Sequence, residues 1–349
     1  MHNFKSINVG AATCRPHHIF KGKNEKMKKF KHVNAGSLGE ALRLLGEYGD
    51  RAKVNAGGTD LLGVLKDRIL PVYPELIINI KTIPGLDTIT EDETGFRIGA
   101  LTTLADICRC RPLAEKLPLL TQACAAVASP QIRNAATIGG NLCQDTRCWY
   151  YRYPDKIGGL IHCFRKGGKG CPAAAGENQY HAIMGAKRCY AVSPSDTAAA
   201  LIALGATLTL ADKDNGVRTV TPEELYTPTG NILGAAEILT EISIPKPPPA
   251  AMQRFQKFTQ REPIDFAIVS VASLITVEQG VCTEARLVLG AVAPTPLRPS
   301  QAEKFLQGKK LTAEVAAQAA DLALEGAKPL AKNGYKIDIA KTLIKRALL

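Results

Sequence analysis

Two different hydrophobic periods alternate along the first eighty residues. After Ser37, leucines and alanines recur at three- and four-residue spacing in SLGEALRLLGEYGD, and Glu40 stands at its fourth position, which predicts a capped helix. The short apolar runs KVNA and ELIINI flank a second helical stretch, TDLLGVLKDRIL, and predict buried strands. The pattern therefore predicts a small βαβ-like unit over residues 27–83.

The remaining chain mixes both periods. GFRIGA predicts a strand, PLLTQACAAVA a helix, and SDTAAALIALGATLTL a helix that runs into a strand. The proline-rich PKPPPAAM predicts a rigid linker. Beyond it, FAIVSVASLITVEQG and CTEARLVLGAVA predict an antiparallel sheet, followed by two helical stretches after Pro299. We expect an α+β chain with subdomains at 27–83 and 84–246 and a third domain at 250–349, after a disordered extension at 1–26.

The charge is concentrated in two places. Of the formal net charge of +12, residues 1–32 contribute +7 (eight Lys/Arg, one Glu) and residues 141–190 contribute +5 (eight Lys/Arg, three Asp/Glu). A basic patch of this kind suits an acidic protein partner better than nucleic acid, which calls for a basic face across a domain; the alternative is a solvated loop. No apolar run approaches the ~20 residues of a membrane helix, and no secretory signal is present, so we expect a cytoplasmic protein.

Two glycine-containing segments resemble one another. VNAGGTDLLG and ATIGGNL each follow an apolar segment, and such turns let backbone amides approach a phosphate closely. Neither is a P-loop or a G-x-G-x-x-G turn. Either could be a tight turn alone, but the pair suggests one diphosphate held between two loops. In SPSDTA, Ser195 or Asp196 could cap a helix, or the carboxylate could bind ribose hydroxyls.

Half of the ten cysteines lie between residues 141 and 190, in a stretch without a helix or strand period. Cysteines in a chain without a signal peptide point to metal binding or buried thiols in a reducing compartment, not to a disulfide scaffold. A long irregular loop inside a compact domain also needs a reason, and a metal centre supplies one.

NAGGTDLL, QIRNAATIGGNL, SPSDTA and FQKFTQREPIDFAIVSVA, in this order, resemble the FAD-binding subunits of the molybdenum hydroxylases, the xanthine dehydrogenase and aldehyde oxidase family. The resemblance runs from about Met27 to the C-terminus. It implies a PCMH-type FAD-binding fold, with a small βαβ-like subdomain and a larger α+β subdomain. A small C-terminal domain of antiparallel sheet and helices, of the CO dehydrogenase flavoprotein type, would follow.

The resemblance also implies which residues meet the cofactor. The two turns would wrap the FAD diphosphate, Asp196 would contact its sugar or adenine side, Lys257 would lie near the flavin, and Val127 would lie against the cofactor rings. The turn residues so implied are Val54, Asn55, Ala56, Gly57, Gly58, Thr59, Asp60 and Leu61, and Ala136, Thr137, Ile138, Gly139, Gly140 and Asn141.

The cysteine-rich stretch, an insert over about residues 143–190, looks like that of the 4-hydroxybenzoyl-CoA reductase β subunit, where it holds a 4Fe–4S cluster. Periplasmic-type aldehyde oxidoreductases have a similar insert. The resemblance implies cluster ligands at Cys148, Cys163, Cys171 and Cys189, with 14, 7 and 17 residues between them, and leaves Cys143 as a spare. Zinc is the competing occupant, since four thiolates suit it equally well.

By the same resemblance, the chain is an electron-transfer subunit without catalytic side chains of its own. Its partners would be a molybdopterin-binding large subunit and a 2Fe–2S small subunit, in a heterotrimer or a dimer of heterotrimers. An acidic ferredoxin would be the external carrier, and neither nucleic acid nor membrane is expected. The alternatives are the FAD subunit of a xanthine or aldehyde dehydrogenase and, in another class, a zinc-stabilised binding module without FAD.

Overall fold

The computed structural model describes residues 27–154, 161–214, 216–261 and 264–349. Its first part contains, in chain order, β1 Lys31–Asn34, α1 Leu38–Tyr48, β2 Ala52–Asn55, α2 Leu61–Lys66 and β3 Leu76–Asn79. The strands pair in the parallel order β1–β3–β2. β3 is buried at every position, as a central strand of a parallel sheet must be. The predicted βαβ-like unit is confirmed, and the polar strand β1 is added to it.

Helix α1 begins where its sequence pattern predicts. The Ser37 hydroxyl accepts a hydrogen bond from the amide of Glu40, while the Glu40 carboxylate accepts one from the amide of Gly36. Two amides of the first turn region thereby gain acceptors that the helix itself cannot supply. The buried side chains Ala41, Leu42 and Leu45 then pack the helix against the sheet.

The middle part is built on an antiparallel sheet in the order β4–β5–β10–β6–β7. The last strand in sequence, β10, lies at its centre, so the polypeptide returns to the core after the cysteine insert. The elements in chain order are β4 Ile89–Glu91, β5 Gly95–Gly99, α3 Leu104–Arg109, α4 Arg111–Lys116, α5 Pro118–Ala125, α6 Pro130–Arg133, α7 Ile138–Cys143, α8 Trp149–Arg152, α9 Asp196–Ala203, β6 Thr207–Asp212, β7 Val217–Val220, α10 Pro222–Leu225, β8 Tyr226–Thr227, β9 Gly230–Asn231 and β10 Glu237–Pro245.

The C-terminal part is an antiparallel sheet, β11–β12–β13, covered by helices. Its elements are β11 Met252–Phe258, β12 Val269–Glu278, β13 Val281–Gly290, α11 Ser300–Leu306, α12 Ala313–Ala323 and α13 Tyr335–Leu348. The sequence pattern predicted two helical stretches after Pro299, whereas the structure has three helices there. Within the described ranges, no helix combines the length and the apolarity needed to cross a membrane.

Two segments predicted to be irregular contain helix. ATIGGNL was predicted as a turn, but Ile138–Cys143 is the short helix α7, and the Thr137 hydroxyl caps it by accepting from the amide of Gly140. The cysteine insert contains α8 and two short 3-10 turns, Phe164–Lys166 and Pro172–Ala174. Periodicity missed them because none is longer than six residues.

Candidate functional site

The two glycine segments, distant in sequence, touch each other in the fold. Gly57 lies so close to the chain preceding the second segment that a Cβ there would overlap the carbonyl oxygen of Ala135. Gly139 is also constrained, though less severely, because its Cβ would lie 2.8 Å from the Ala100 carbonyl oxygen. Glycine is required at both positions to let these backbones approach. The predicted juxtaposition of the two segments is therefore present.

Both segments line one cleft of about 800 Å³ between the N-terminal and middle parts. The predicted residues that line it are Val54, Ala56, Gly57, Gly58, Thr59, Asp60, Leu61, Thr137, Gly139 and Gly140. The remaining predicted residues lie elsewhere. Those outside the lining are Asn55, Val127, Ala136, Ile138, Asn141, Asp196 and Lys257.

The two segments differ in the amides they offer to a ligand. The amides of residues 57–60 find no acceptor among the described residues, so they are open to a phosphate. In the second segment, by contrast, the amide of Gly139 donates to the Ala100 carbonyl and that of Gly140 to the Thr137 hydroxyl. The sequence reasoning expected both glycine pairs to expose their amides. This is wrong for the second pair, because the Ala100 carbonyl and the Thr137 hydroxyl already accept from those amides.

Asn141 anchors the second segment to the helix that carries Asp196. Its side-chain oxygen accepts hydrogen bonds from the hydroxyls of Ser195 and Thr197, each at 2.7 Å, in a buried environment. Ser195 also caps α9 by accepting from the amide of Ala198. The structure thus gives Ser195, not Asp196, the capping role and leaves the Asp196 carboxylate available for another partner.

That partner is Lys257. Its ammonium lies 2.7 Å from the Asp196 carboxylate and also donates to the carbonyl of Ala126, next to Val127. Both charged side chains are less than a tenth exposed. Burial raises the pKa of Asp196 above its ordinary value, and the charge of Lys257 opposes that rise. Two predicted residues, Asp196 and Lys257, therefore meet in one place, and Val127 follows the residue whose carbonyl Lys257 binds.

Asp196 lines a second cavity of about 260 Å³ beside the cleft. Residues 192–194 line both spaces and connect them. Cys148, His181 and Phe266 are also among the residues that line this second cavity. The Ser193 hydroxyl is buried without a hydrogen-bond partner in the described structure, at the junction of the two spaces. A polar group in that state implies a ligand or water that it serves.

The cysteine insert supplies part of the cleft wall. Asp145, Tyr151, Phe164 and Arg165 all line the cleft, and the amide of Asp145 contacts Asp60 of the first glycine segment. The insert therefore contributes directly to the space that a cofactor would occupy, which its amino-acid sequence did not reveal.

Several hydrogen-bonding groups surround the sulfur of Cys148. Burial raises its pKa to about 11, but the amides of Tyr151 and Tyr150, at the start of α8, donate to its sulfur and oppose that rise. The Nε2 atom of His181 lies 3.2 Å from the same sulfur. Donors converging on one sulfur are typical of cysteine ligands to metals and clusters.

The other three predicted ligands lie in the same region but form no compact set. Cys171 and Cys189 are close enough to Cys148 for their charges to raise its pKa. Cys163 packs in one small apolar cluster with Tyr151 and Cys148. All four are free thiols. Yet within the described ranges no three Cys, His, Asp or Glu side chains are grouped closely enough for a metal ion, so the predicted ligand set is not assembled in this structure.

Comparison with known proteins decides the family. A family model described as the FAD binding domain in molybdopterin dehydrogenase matches residues 28–247, and the CO dehydrogenase flavoprotein C-terminal domain matches residues 254–349. The chain is an FAD-binding subunit of the molybdenum hydroxylase family. The resemblance to this family and the α+β fold class are confirmed.

Relatives of this FAD-binding subunit align along almost the whole chain. It is 32% identical to the aldehyde oxidoreductase FAD-binding subunit of Escherichia coli, over 92% of this chain and 98% of that protein. It is 29% identical to subunit alpha of the 6-hydroxypseudooxynicotine dehydrogenase complex of Paenarthrobacter nicotinovorans, over 93% of this chain and 94% of that protein. Among solved structures, a chain of carbon monoxide dehydrogenase from Hydrogenophaga pseudoflava superposes with a TM-score of 0.75 at 28% identity. The superposition covers 93% of this chain and 97% of that one.

The cleft fits the FAD of this family. Open amides at residues 57–60 can serve phosphate oxygens, and Lys53 and Arg165 bring positive charge to the lining. The side-chain oxygen of Asn55 is buried without a partner in the described structure, next to Gly58. Lys81 steadies the same turn, because its ammonium donates to the Ala56 carbonyl at 2.8 Å. Sequence reasoning missed Lys53, Lys81 and Arg165, because isolated basic residues carry no motif.

Proposed function

We propose that this FAD-binding subunit carries electrons between an external carrier and a 2Fe–2S small subunit, in a complex whose large subunit binds molybdopterin and the substrate. The observation that carries the proposal is the shared wall: the FAD cleft is closed on one side by the cysteine insert. FAD accepts or donates one or two electrons, and an iron–sulfur cluster one, so the two together connect different carriers. The protein's part is to hold them side by side.

We further propose that the insert holds a 4Fe–4S cluster on Cys148, Cys163, Cys171 and Cys189. The donors around Cys148 support this assignment, as does the location of all four thiols in one region. Zinc is the weaker candidate. A single zinc ion binds each thiolate at ~2.3 Å and so needs its ligands in one tight group. Such a group is not found in the described residues, whereas a four-iron cluster spaces its ligands further apart.

Within the cleft, we propose that Asp196 and Lys257 act together on one part of FAD. Their side chains bind each other directly. The resemblance implied that Asp196 contacts the sugar or adenine side of FAD and that Lys257 lies near the flavin, and these two roles are not both compatible with the direct bond. The buried Ser193 hydroxyl lies between this pair and the main cleft. We assign Val127, beside the carbonyl that Lys257 binds, to the same part of the cofactor.

For the complex as a whole, the named relatives favour the alternative identified from the sequence. An aldehyde oxidoreductase and a dehydrogenase complex stand among them, whereas the likeness to 4-hydroxybenzoyl-CoA reductase rests on the insert alone. We therefore propose an aldehyde- or heterocycle-oxidising complex, in which electrons leave through this chain. Midpoint potentials distinguish the two. In a reductase the external donor must be more reducing than the centres that it fills, whereas in an oxidising complex the centres must be more reducing than the external acceptor.

The surface for an acidic carrier is smaller than the amino-acid sequence indicates. Arg147, Arg152 and Arg165 are at most about a third exposed and pair with Asp60 or Asp145. The exposed basic residues of the described insert are Lys169, Lys187 and Arg188. We propose these three as the docking site for an acidic ferredoxin or similar protein.

The cluster assignment predicts that Cys163→Ser will lose iron and keep FAD. Cys163 is buried in the insert and does not itself line the cleft, and a serine hydroxyl is a poor substitute for a thiolate ligand. The full-length chain, purified without oxygen, should show flavin absorbance over a broad brown shoulder that dithionite bleaches.

Iron and flavin per chain are the quantities to measure, with Cys110→Ser as the control. Cys110 is partly exposed between α3 and α4, outside the insert, so this variant should retain both. Full iron content in Cys163→Ser would show that the ligand assignment is wrong. A colourless wild-type chain containing zinc would overturn the function itself.

A further inference from the structure

The carboxylate of Asp60 contacts residues of the cysteine insert. Arg152 and Arg147 face its Oδ1 atom at 2.8 and 3.1 Å as ion pairs, although neither contact has the angle of a hydrogen bond. Its Oδ2 atom accepts a hydrogen bond of 2.9 Å from the amide of Asp145. The Asp60 side chain is only 17% exposed. One residue of the FAD-binding turn thus binds three residues of the insert.

These contacts belong to a larger network within the first half of the insert. Arg152 also donates to the carbonyls of Thr146 and Asp145. The Asp145 carboxylate in turn accepts from Tyr151 and Arg165. Cys148 lies inside this stretch, between the two arginines that pair with Asp60. The network therefore fixes the backbone that carries Cys148 relative to the first glycine segment.

The second half of the insert is fixed to a different part of the protein. The buried ammonium of Lys336, on α13, donates to the carbonyls of His181 and Ala291, and Asn333 also donates to the His181 carbonyl. Burial lowers the pKa of Lys336 to about 7, as expected for an amine whose partners here are carbonyls. The insert is thus held at one end by the FAD-binding turn and at the other by the C-terminal part.

We propose that Asp60 is a positioning residue that clasps the cysteine insert onto the FAD-binding turn. Because both of its oxygens already face groups of the insert, it serves FAD indirectly, by fixing the part of the insert that lines the cleft. A weaker clasp should therefore lower the affinity for FAD and also make residues 145–152 less well ordered. The inference rests on the proposed function only in placing FAD in this cleft, and it does not depend on a metal in the insert.

A double-mutant cycle on Asp60 and Arg152 tests the clasp. Arg152 does not line the cleft, so it can affect FAD only indirectly, through Asp60 and the insert. We expect Asp60→Asn and Arg152→Gln each to weaken FAD binding about tenfold and to speed amide exchange in residues 145–152. The double variant should be no weaker than the more affected single variant, because residues that form one pair are non-additive. Arg152→Lys, which keeps the charge, should restore part of the affinity.

The control is Arg43→Gln, which breaks an exposed pair with Glu47 on α1 and should leave FAD affinity and exchange unchanged. The clasp is overturned if Arg152→Gln binds FAD like the wild type while Asp60→Asn does not, since Asp60 would then contact FAD directly. Additive losses in the double variant also overturn it. A wild-type chain that binds no FAD would refute the proposed function instead, before any variant is compared.

Discussion

Gly57→Ala is expected to lose FAD and much of its stability. A Cβ at this position would overlap the carbonyl oxygen of Ala135, which is backbone and cannot rotate away. Overfilling a packed site of this kind costs about 3 kcal/mol or more when no side chain can yield. Relief requires the first glycine segment to move from the second, which widens the cleft between them. Flavin content after purification and the midpoint of thermal unfolding measure the two effects.

Gly63→Ala is the matched control. Gly63 lies on α2, six residues further along the same segment, with nothing within 4 Å of its Cβ position. Because alanine favours a helix interior over glycine, this variant should gain about 0.5–1 kcal/mol and retain FAD. Normal flavin content in Gly57→Ala would mean that the contact between the two segments does not shape the cofactor site.

Lys257→Met should be the second large change. It removes the cation facing Asp196 and leaves a carboxylate that is almost fully buried without a countercharge. Removing one member of a buried ion pair costs about 3–5 kcal/mol. The pKa of Asp196, already raised by burial, rises further once the opposing charge of Lys257 is gone. Denaturant unfolding at several pH values measures the loss.

The sign of the pH dependence follows from that raised pKa. A carboxyl group whose folded pKa exceeds its unfolded value contributes most favourably below the unfolded pKa, and the contribution is lost as pH rises through the folded pKa. The loss of stability in Lys257→Met should therefore be largest at neutral pH and become smaller as the pH is lowered. The double variant Lys257→Met/Asp196→Asn should recover stability and lose this dependence. An equal loss of stability at all pH values would show that Asp196 does not remain charged in Lys257→Met.

The sequence predicts the fold where one local signal suffices. The Ser37–Glu40 pair marks the start of α1, and the apolar run in ELIINI marks the buried strand β3. The short helices α7 and α8 escape prediction because six or fewer residues contain too little of a helical period. The central position of β10 is set by tertiary pairing with β5 and β6, which no local pattern encodes.

The sequence predicts which motifs belong to the site, but not which side chains contact one another there. The sequence predicts cofactor-binding roles for Asp60 and Asp196; in the structure Asp60 lines the cleft, and Asp196 lines the second cavity beside it. Their carboxylates bind Arg152 and Lys257, however, from segments about 60 to 90 residues away. Such pairings depend on how the insert and the C-terminal part fold back on the cleft. For the same reason, the spacing of the four cysteines predicts a ligand set, whereas the spatial grouping of their sulfurs is a property of the folded insert.

Hydrogen–deuterium exchange of the flavin-free, full-length chain, with and without added FAD, tests the central claim most directly. If FAD lies in the cleft between the two glycine segments, exchange should slow in residues 54–61 and 136–141, and in residues 145–152 of the insert, which also contribute to the cleft lining. Protection confined to other parts of the chain, with these three stretches unchanged, would contradict this account of the site.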